Sequence, residues 1–231
     1  MRFPETVEAG FVKRRNRFLA SATLGGKTVD VHVKNTGRLT EILVPGARVL
    51  LSESGSPGRK TGYDLVAAYK GDMLISLDSQ VPNDVFAEAL PRLGLFDDIA
   101  AVRREVTKGD SRYDFMVEAD GRTNYVEVKG VTLEENGVAM FPGAPTTRGV
   151  KHVRGLTAAA AEGYGAYVVF VAQMSPVRLF TPNCPMDPDF CEALAEAAEN
   201  GVEIAAYECD VSPEGIGIKG RVPHSFRTEF P

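Results

Sequence analysis

Residues 124–130 read NYVEVKG, and the run puts Glu127 and Lys129 two apart in a strong β former. Side chains two apart share one face of a strand, so a carboxylate and an ammonium lie side by side there. Just upstream, Asp120-Gly121 is a two-residue hairpin signal. Pairing outward from that turn sets Asp114 opposite Glu127 and Arg112 opposite Lys129. Like charges facing each other across a hairpin destabilise it. A magnesium-type cation would resolve the conflict, because it takes carboxylate oxygens, a backbone carbonyl and waters in an octahedral shell. The expected chemistry is Mg²⁺- or Mn²⁺-assisted phosphodiester hydrolysis: Asp114 and Glu127 are the metal ligands, and Lys129 handles a water and steadies charge on phosphorus. Tyr113, Phe115, Val117, Val126 and Val128 are expected on the opposite, apolar face. The plain alternative is a hairpin with one solvated, mixed-charge face.

Other residues point to the same place. Arg148, Lys151 and His152 fall at i, i+3 and i+4 in the first turn of an expected helix, where basic groups oppose the helix dipole unless an anion is near. Gln173 follows a long apolar run and is expected at the rim of a cleft at the strand ends, or simply at the strand's exit to solvent. Glu88 and Glu105 are available as a third acid, but no spacing supports either.

The elements that must position these groups are readable. From residue 5 to about 79 the pattern is short strands and tight turns: Gly25-Gly26, NTGR at 35–38, Pro45-Gly46, GSPGRKTG at 55–62 and Gly71-Asp72. About five strands in that span fit a small OB-like barrel, whose surfaces bind oligonucleotides or oligosaccharides. After QVPND a helix follows, with Asn83 or Asp84 available as its cap. Strands are expected at 101–106, 112–118 and 123–131, a helix at 147–162, a fully buried strand at 166–173, a helix capped by Asp187-Pro188, and a strand through VEIAAYEC. The fold class is therefore mixed α/β, with an OB-like unit at 1–80 and an α/β unit with a mixed sheet at 81–231.

The net charge of −5 hides an asymmetry: residues 1–70 carry 12 Lys and Arg against 6 Asp and Glu, and the remainder carries 14 against 25. Lys13, Arg14, Arg15 and Arg17 lie between Phe11 and Phe18, a basic cluster with aromatic neighbours suited to a phosphate backbone, or else a charged edge strand. Arg38 in the NTGR turn joins them as a candidate DNA contact. Three cysteines without C-x-x-C spacing argue against a disulfide framework and a zinc ribbon. His32, His152 and His224 are expected at turns or on the surface. No apolar run reaches spanning length, and the N-terminus lacks a signal peptide's apolar stretch, so a cytoplasmic protein is expected with no membrane partner.

The motifs VKRRNRFLA, NTGRL, SRYDFMVE, YVEVKGVTL, FPGAPTTRGVKHVRGL and FVAQM occur in an order that resembles the sugar fermentation stimulation protein A (SfsA) family over nearly the whole chain. The resemblance implies an N-terminal OB-like domain and a PD-(D/E)XK nuclease-like C-terminal domain with Asp114, Glu127 and Lys129 at the motif positions. It also implies DNA binding and a regulatory role in sugar (maltose) metabolism. One departure stands out: where the family pattern reads F-P-D-A, this chain has Phe141-Pro142-Gly143-Ala144. Three functions follow as expectations. The first is a metal-dependent nuclease with catalytic Asp114, Glu127, Lys129 and Gln173, bound to single- or double-stranded DNA through Lys13, Arg14, Arg15, Arg17, Arg38, Arg148 and Lys151. The second is a noncatalytic DNA-binding regulator. The third is a carbohydrate-binding module, disfavoured by the lack of tryptophan. The oligomeric state, monomer or homodimer, is left open.

Overall fold

The computed structural model describes residues 1–55 and 61–226. Most of the loop expected at 55–62 lies outside the described residues. The first part of the chain is a β-barrel: β1 (Thr6–Arg14), β2 (Leu19–Leu24), β3 (Lys27–Val33), β4 (Arg48–Glu53) and β5 (Tyr63–Lys70), with β6 (Met73–Ser76) added as a hairpin on β5. The strand order is β3-β2-β1-β4-β5-β6, and a parallel pairing of β3 with β5 closes the barrel and removes its edges. Gly25 and Gly26, both at positive φ, make the tight turn from β2 to β3. Alternating apolar residues such as Phe11, Val31, Val33, Leu51 and Leu65 fill the interior.

The second part begins with α1 (Val81–Ala89), whose N-cap is Gln80. Asn83 and Asp84, expected as caps, instead lie inside the first turn, because Pro82 already suits the helix start and needs no N–H partner. There follow β7 (Ile99–Lys108), β8 (Ser111–Ala119), β9 (Arg122–Val131), β10 (Leu133–Glu135) and β11 (Val138–Phe141). Next come α2 (Thr147–Ala161), β12 (Gly165–Ala172), β13 (Leu179–Pro182), α3 (Pro188–Glu199), β14 (Glu203–Ser212) and β15 (Gly215–Arg221). The main sheet runs β15-β14-β12-β9-β8-β7, and β10-β11-β13 form a small second one. β9, β12 and β14 are mutually parallel while both flanks are antiparallel, which makes the expected mixed sheet. Every residue of β12 is buried, as its unbroken apolar run requires of a central strand covered on both faces. β10, β11, β13 and β15 go beyond the expected strands; they are short or glycine-rich and carry weak strand signals.

Helix α1 covers one face, with Phe86 against Phe115 at 5.2 Å between ring centroids. Helices α2 and α3 cover the other, where Val153, Leu156, Phe190 and Leu194 join a buried cluster that continues into barrel residues such as Val33 and Leu65. Barrel and sheet therefore share an apolar core, and Lys70 of β5 adds an ion pair of 2.7 Å to the buried Glu134 of β10. The cap expected for α3 is present: Asp187 Oδ1 accepts from the Phe190 N–H at 3.1 Å.

Two cysteines correct the expectation of unpaired thiols. Cys184 and Cys191 form a disulfide with Cα atoms 5.4 Å apart. The turn that carries the Asp187 cap folds the chain back between them, a local closure that C-x-x-C reasoning does not detect. Cys209 is buried as a small hydrophobe, and its thiol is pushed up to about 12 by burial and then by Asp210 and Glu208.

Candidate functional site

The hairpin of β8 and β9 has the register expected from the Asp120-Gly121 turn, down to the pair Phe115–Val126. Beyond that pair the strands part. Asp114 no longer stands as a simple cross-strand partner; its Oδ2 accepts the Val128 N–H at 2.8 Å, and its Oδ1 accepts from Asn83 Nδ2 of α1 at 2.8 Å. In the neighbouring β7, Glu105 adopts φ 58° between the pairs Arg104–Phe115 and Val106–Tyr113. A positive φ at a non-glycine residue twists the strand locally. Tyr113 leaves the face expected for it. Phe115, Val117, Val126 and Val128 lie on the α1 side, but Tyr113 packs toward α2, 5.6 Å from Tyr125 and 6.0 Å from His152 between centroids. Arg112 is likewise exposed and paired with Glu105, not set against Lys129.

Glu127 is only 4% exposed. Its Oε1 accepts from Lys129 Nζ at 2.5 Å and from His152 Nδ1 at 2.5 Å. On the far side of the ring, Arg148 Nε lies 3.4 Å from His152 Nε2. His152 is thus a buried partner of the acid, not the turn or surface histidine expected. Burial favours the neutral form of Glu127, but the His152 bond and the charge and bond of Lys129 outweigh it and hold the carboxyl below its usual range. Asp114 moves the other way: burial, then the Glu127 charge, raises it against the opposing bonds of Val128 and Asn83 and the charge of Lys129. The two acids form a coupled pair in which Glu127 ionises first.

Gln173 follows directly on β12 and is 1% exposed. Its backbone is fixed from both halves of the molecule: its N–H donates to Val131 O at 2.9 Å and its carbonyl accepts from the Ser76 N–H at 3.0 Å. Gly130, next to Lys129, makes room for it, since a Cβ there would meet Pro82 Cγ at 2.6 Å and Gln173 Nε2 at 3.4 Å. Two buried oxygens in this region have no hydrogen-bond partner among the described residues, Glu127 Oε2 and Gln173 Oε1. Orphaned hard oxygens suit a hard cation. Among the described residues no group of three or more His, Cys, Asp or Glu side chains converges to hold a metal, so amide or backbone oxygens and waters would have to complete its shell.

The basic residues divide. Arg14 cannot serve as a phosphate contact, because its guanidinium is spent on backbone carbonyls: Gly37 O at 2.5 Å, Arg38 O at 2.9 Å, Arg17 O at 2.7 Å and Asn35 O at 2.5 Å. Burial lowers its pKa. Arg15 is exposed and pairs with Asp30 at 2.7 Å. Lys13, Arg17, Arg38, Arg148 and Lys151 are exposed. Arg17 and Arg38 line a cleft of about 420 Å³ between the barrel and the second part, together with Asn35, Gln173, Phe141 and Gly143. Glu88 pairs with the N-terminal amine at 2.7 Å and Glu105 with Arg112, so neither joins the acids. The spacing of His152 with Arg148 and Lys151 pointed to this place, whereas Asn83, expected only as a helix cap, is the supporting group that spacing did not mark.

Residues 12–77 match the model of the SfsA N-terminal OB domain, and residues 80–215 match that of the sugar fermentation stimulation protein RE domain. A sugar fermentation stimulation protein homolog of Desulfitobacterium hafniense (strain Y51) is 49% identical over 216 residues, covering 94% of each chain. One from Clostridium botulinum (strain Loch Maree / Type A3) is 49% identical over 219 residues, covering 94% of this chain and 95% of its own. The structure of Pyrococcus furiosus SfsA in complex with Ca²⁺ superposes with a TM-score of 0.86 at 29% identity, covering 98% of both chains. The chain belongs to the SfsA family, with its OB barrel followed by the family's RE domain.

Proposed function

We propose that the chain binds DNA largely without regard to sequence and hydrolyses phosphodiester bonds at a divalent-cation site on Asp114 and Glu127. The observation that carries the reading is Glu127 Oε2, a buried carboxylate oxygen without a partner in a group held ionised. Such an atom costs stability unless a cation or a water takes it. Mg²⁺ or Mn²⁺ fits the oxygens of Asp114, Glu127 and Gln173, and the Ca²⁺ held by the Pyrococcus furiosus relative supports an oxygen-ligand cation here. A divalent ion, when bound, polarises a phosphate and makes a nearby water more acidic.

The remaining work falls to side chains of the chain itself. Lys129, bonded to Glu127 and 13% exposed, orients the attacking water and offsets charge that builds on the phosphate. His152 occupies Glu127 Oε1 and so leaves Oε2 as the open acceptor, while Asn83 and the Val128 N–H fix Asp114. Arg148 and Lys151, exposed at the start of α2, steady the phosphate, and Lys13, Arg17 and Arg38 follow the backbone through charge.

A second reading, a noncatalytic DNA-binding regulator, is favoured by Gly143, which puts no acid on the loop that lines the cleft. Incubating plasmid and single-stranded DNA with Mn²⁺ separates the two. Cleavage that disappears in Glu127→Gln while DNA retention persists supports hydrolysis. Salt-sensitive retention with no cutting under any divalent ion supports the regulator.

A further inference from the structure

We infer that the cleft between barrel and RE domain receives single-stranded nucleic acid, one unpaired nucleotide at a time, and excludes duplex. The inference rests on the nucleic-acid reading of the site and names its substrate class. Its first support is size. At about 420 Å³ the cleft falls in the range of roughly 300–1,000 Å³ that encloses one small ligand, which admits a nucleotide and shuts out a double helix.

The second support is that each wall is braced by bonds of its own. On the barrel side, Arg14 ties the carbonyls of Asn35, Gly37 and Arg38 to that of Arg17. Asn35 adds its own bonds, accepting the Gly37 N–H at 2.7 Å and donating to Leu77 O at 2.8 Å. On the other side, Asn183 holds the Phe141–Pro142 segment through Phe141 O at 2.7 Å and Pro142 O at 3.0 Å. Asp187 Oδ2 takes the Thr146 N–H at 2.7 Å. A cleft braced this way selects its occupant by width.

The third support is the chemistry of the cleft lining and of the loop that carries Arg17. Arg17 and Arg38 offer charge to a phosphodiester backbone, and the buried Gln173, with Oε1 unpartnered, lines the cleft beside the β9 segment that carries Glu127 and Lys129. Phe18, next in the chain to Arg17, is 55% exposed on the loop between β1 and β2. That loop is itself rigid, because Asn16 Oδ1 accepts from the Phe18 and Leu19 N–H groups at 2.9 Å each. An exposed ring on a fixed loop beside arginines is a stacking platform for an unpaired base, whose face is hidden inside a duplex.

The test measures binding of the full chain in Ca²⁺ by fluorescence anisotropy, with labelled oligothymidylate and a blunt duplex of equal length as probes. The strand is expected to bind at least about tenfold more tightly than the duplex. Phe18→Ala is expected to weaken strand binding about tenfold, in line with the loss of one stacked base. Gly143→Trp, at a position with nothing within 4 Å of an added Cβ, is expected to block the cleft and weaken the strand comparably. Both variants should leave duplex binding unchanged. Equal affinity for strand and duplex, or full strand affinity in both variants, overturns the inference. Because Phe18 is exposed, its variant still reads out if the tryptophan variant fails to fold. Hydrolysis is scored separately in Mn²⁺: cutting of strand and duplex alike keeps the nuclease reading and sinks this one, whereas strand-selective binding without cutting supports this one and sinks hydrolysis.

Discussion

His152 Nδ1 sits 2.5 Å from Glu127 Oε1, so a helix side chain and a strand carboxylate 25 residues apart share a proton-bearing bond inside the molecule. The bond keeps Glu127 ionised despite burial and settles which of its oxygens stays open.

Replacing His152 with Ala leaves Glu127 Oε1 with Lys129 and removes one bond to the charged carboxylate. A hydrogen bond to a charged group is worth about 1.5–3 kcal/mol, and loss of a partner that orients a metal ligand costs roughly 10–100-fold in ion affinity. Denaturant melts and Mn²⁺ calorimetry check both numbers. His152→Asn, whose amide can stand in for the Nδ1–H, is expected to recover most of the affinity. Failure of Asn to outperform Ala would reduce His152 to a packing residue.

Lys129 and Glu127 separate by what they disturb. Lys129→Met is expected to lower cleavage by about 100-fold or more while Mn²⁺ affinity stays within a few-fold, since the ammonium is assigned to the reacting groups and not to the cation. Glu127→Gln should keep the bonds at Oε1 and lose the ion. Single-turnover rates measured beside Mn²⁺ titrations distinguish the two; equal loss of ion binding in both variants would contradict the division of roles.

Asp114 supplies the pH dependence. Burial and the Glu127 charge raise its pKa above the usual aspartate value, so the metal-free folded chain holds this proton more tightly than the unfolded chain does. The sign follows: this group lowers the stability of the metal-free protein as pH rises from the ordinary aspartate pKa through the raised one, and divalent-ion affinity falls as pH drops through the same window. Carboxyl carbon NMR of the metal-free protein is expected to show Asp114 titrating late. Glu127→Gln should move it downward but not to the ordinary aspartate value, because burial, the larger cause, remains.

The basic cluster is expected to divide between folding and binding. Arg14→Met strands several carbonyls and should lower the melting temperature, whereas Arg17→Ala and Arg38→Ala should leave it unchanged and weaken DNA binding. Each of the latter two should also reduce the salt slope of binding by about one. Thermal melts and binding isotherms over a salt series provide the check. An Arg14 variant that melts normally and only loses DNA would reverse the assignment.

Local signals carried much of this arrangement. Asp120-Gly121 set the β8–β9 register because a two-residue turn leaves no slack, β12 announced its burial by an unbroken apolar run, and Asp187-Pro188 marked the start of α3. What escaped depends on contacts far apart in the chain. The positive φ at Glu105 and the bond of Asp114 to the Val128 N–H have no composition signal, and the carbonyl ring around Arg14 joins β1 to a turn more than twenty residues later. Cys184 and Cys191 became partners only because the turn at Asp187 reverses the chain. Charge counting therefore ranked Arg14 with Arg17, although one is spent on folding and the other faces the cleft.

The most direct test is a crystal of the full chain soaked in Mn²⁺ and measured at the manganese edge. One anomalous peak within coordination distance of Glu127 Oε2 and an Asp114 oxygen, absent in Glu127→Gln, is the result expected. A wild-type crystal with manganese elsewhere only, and Glu127 Oε2 still without a partner, would contradict the cation site and with it the hydrolytic reading.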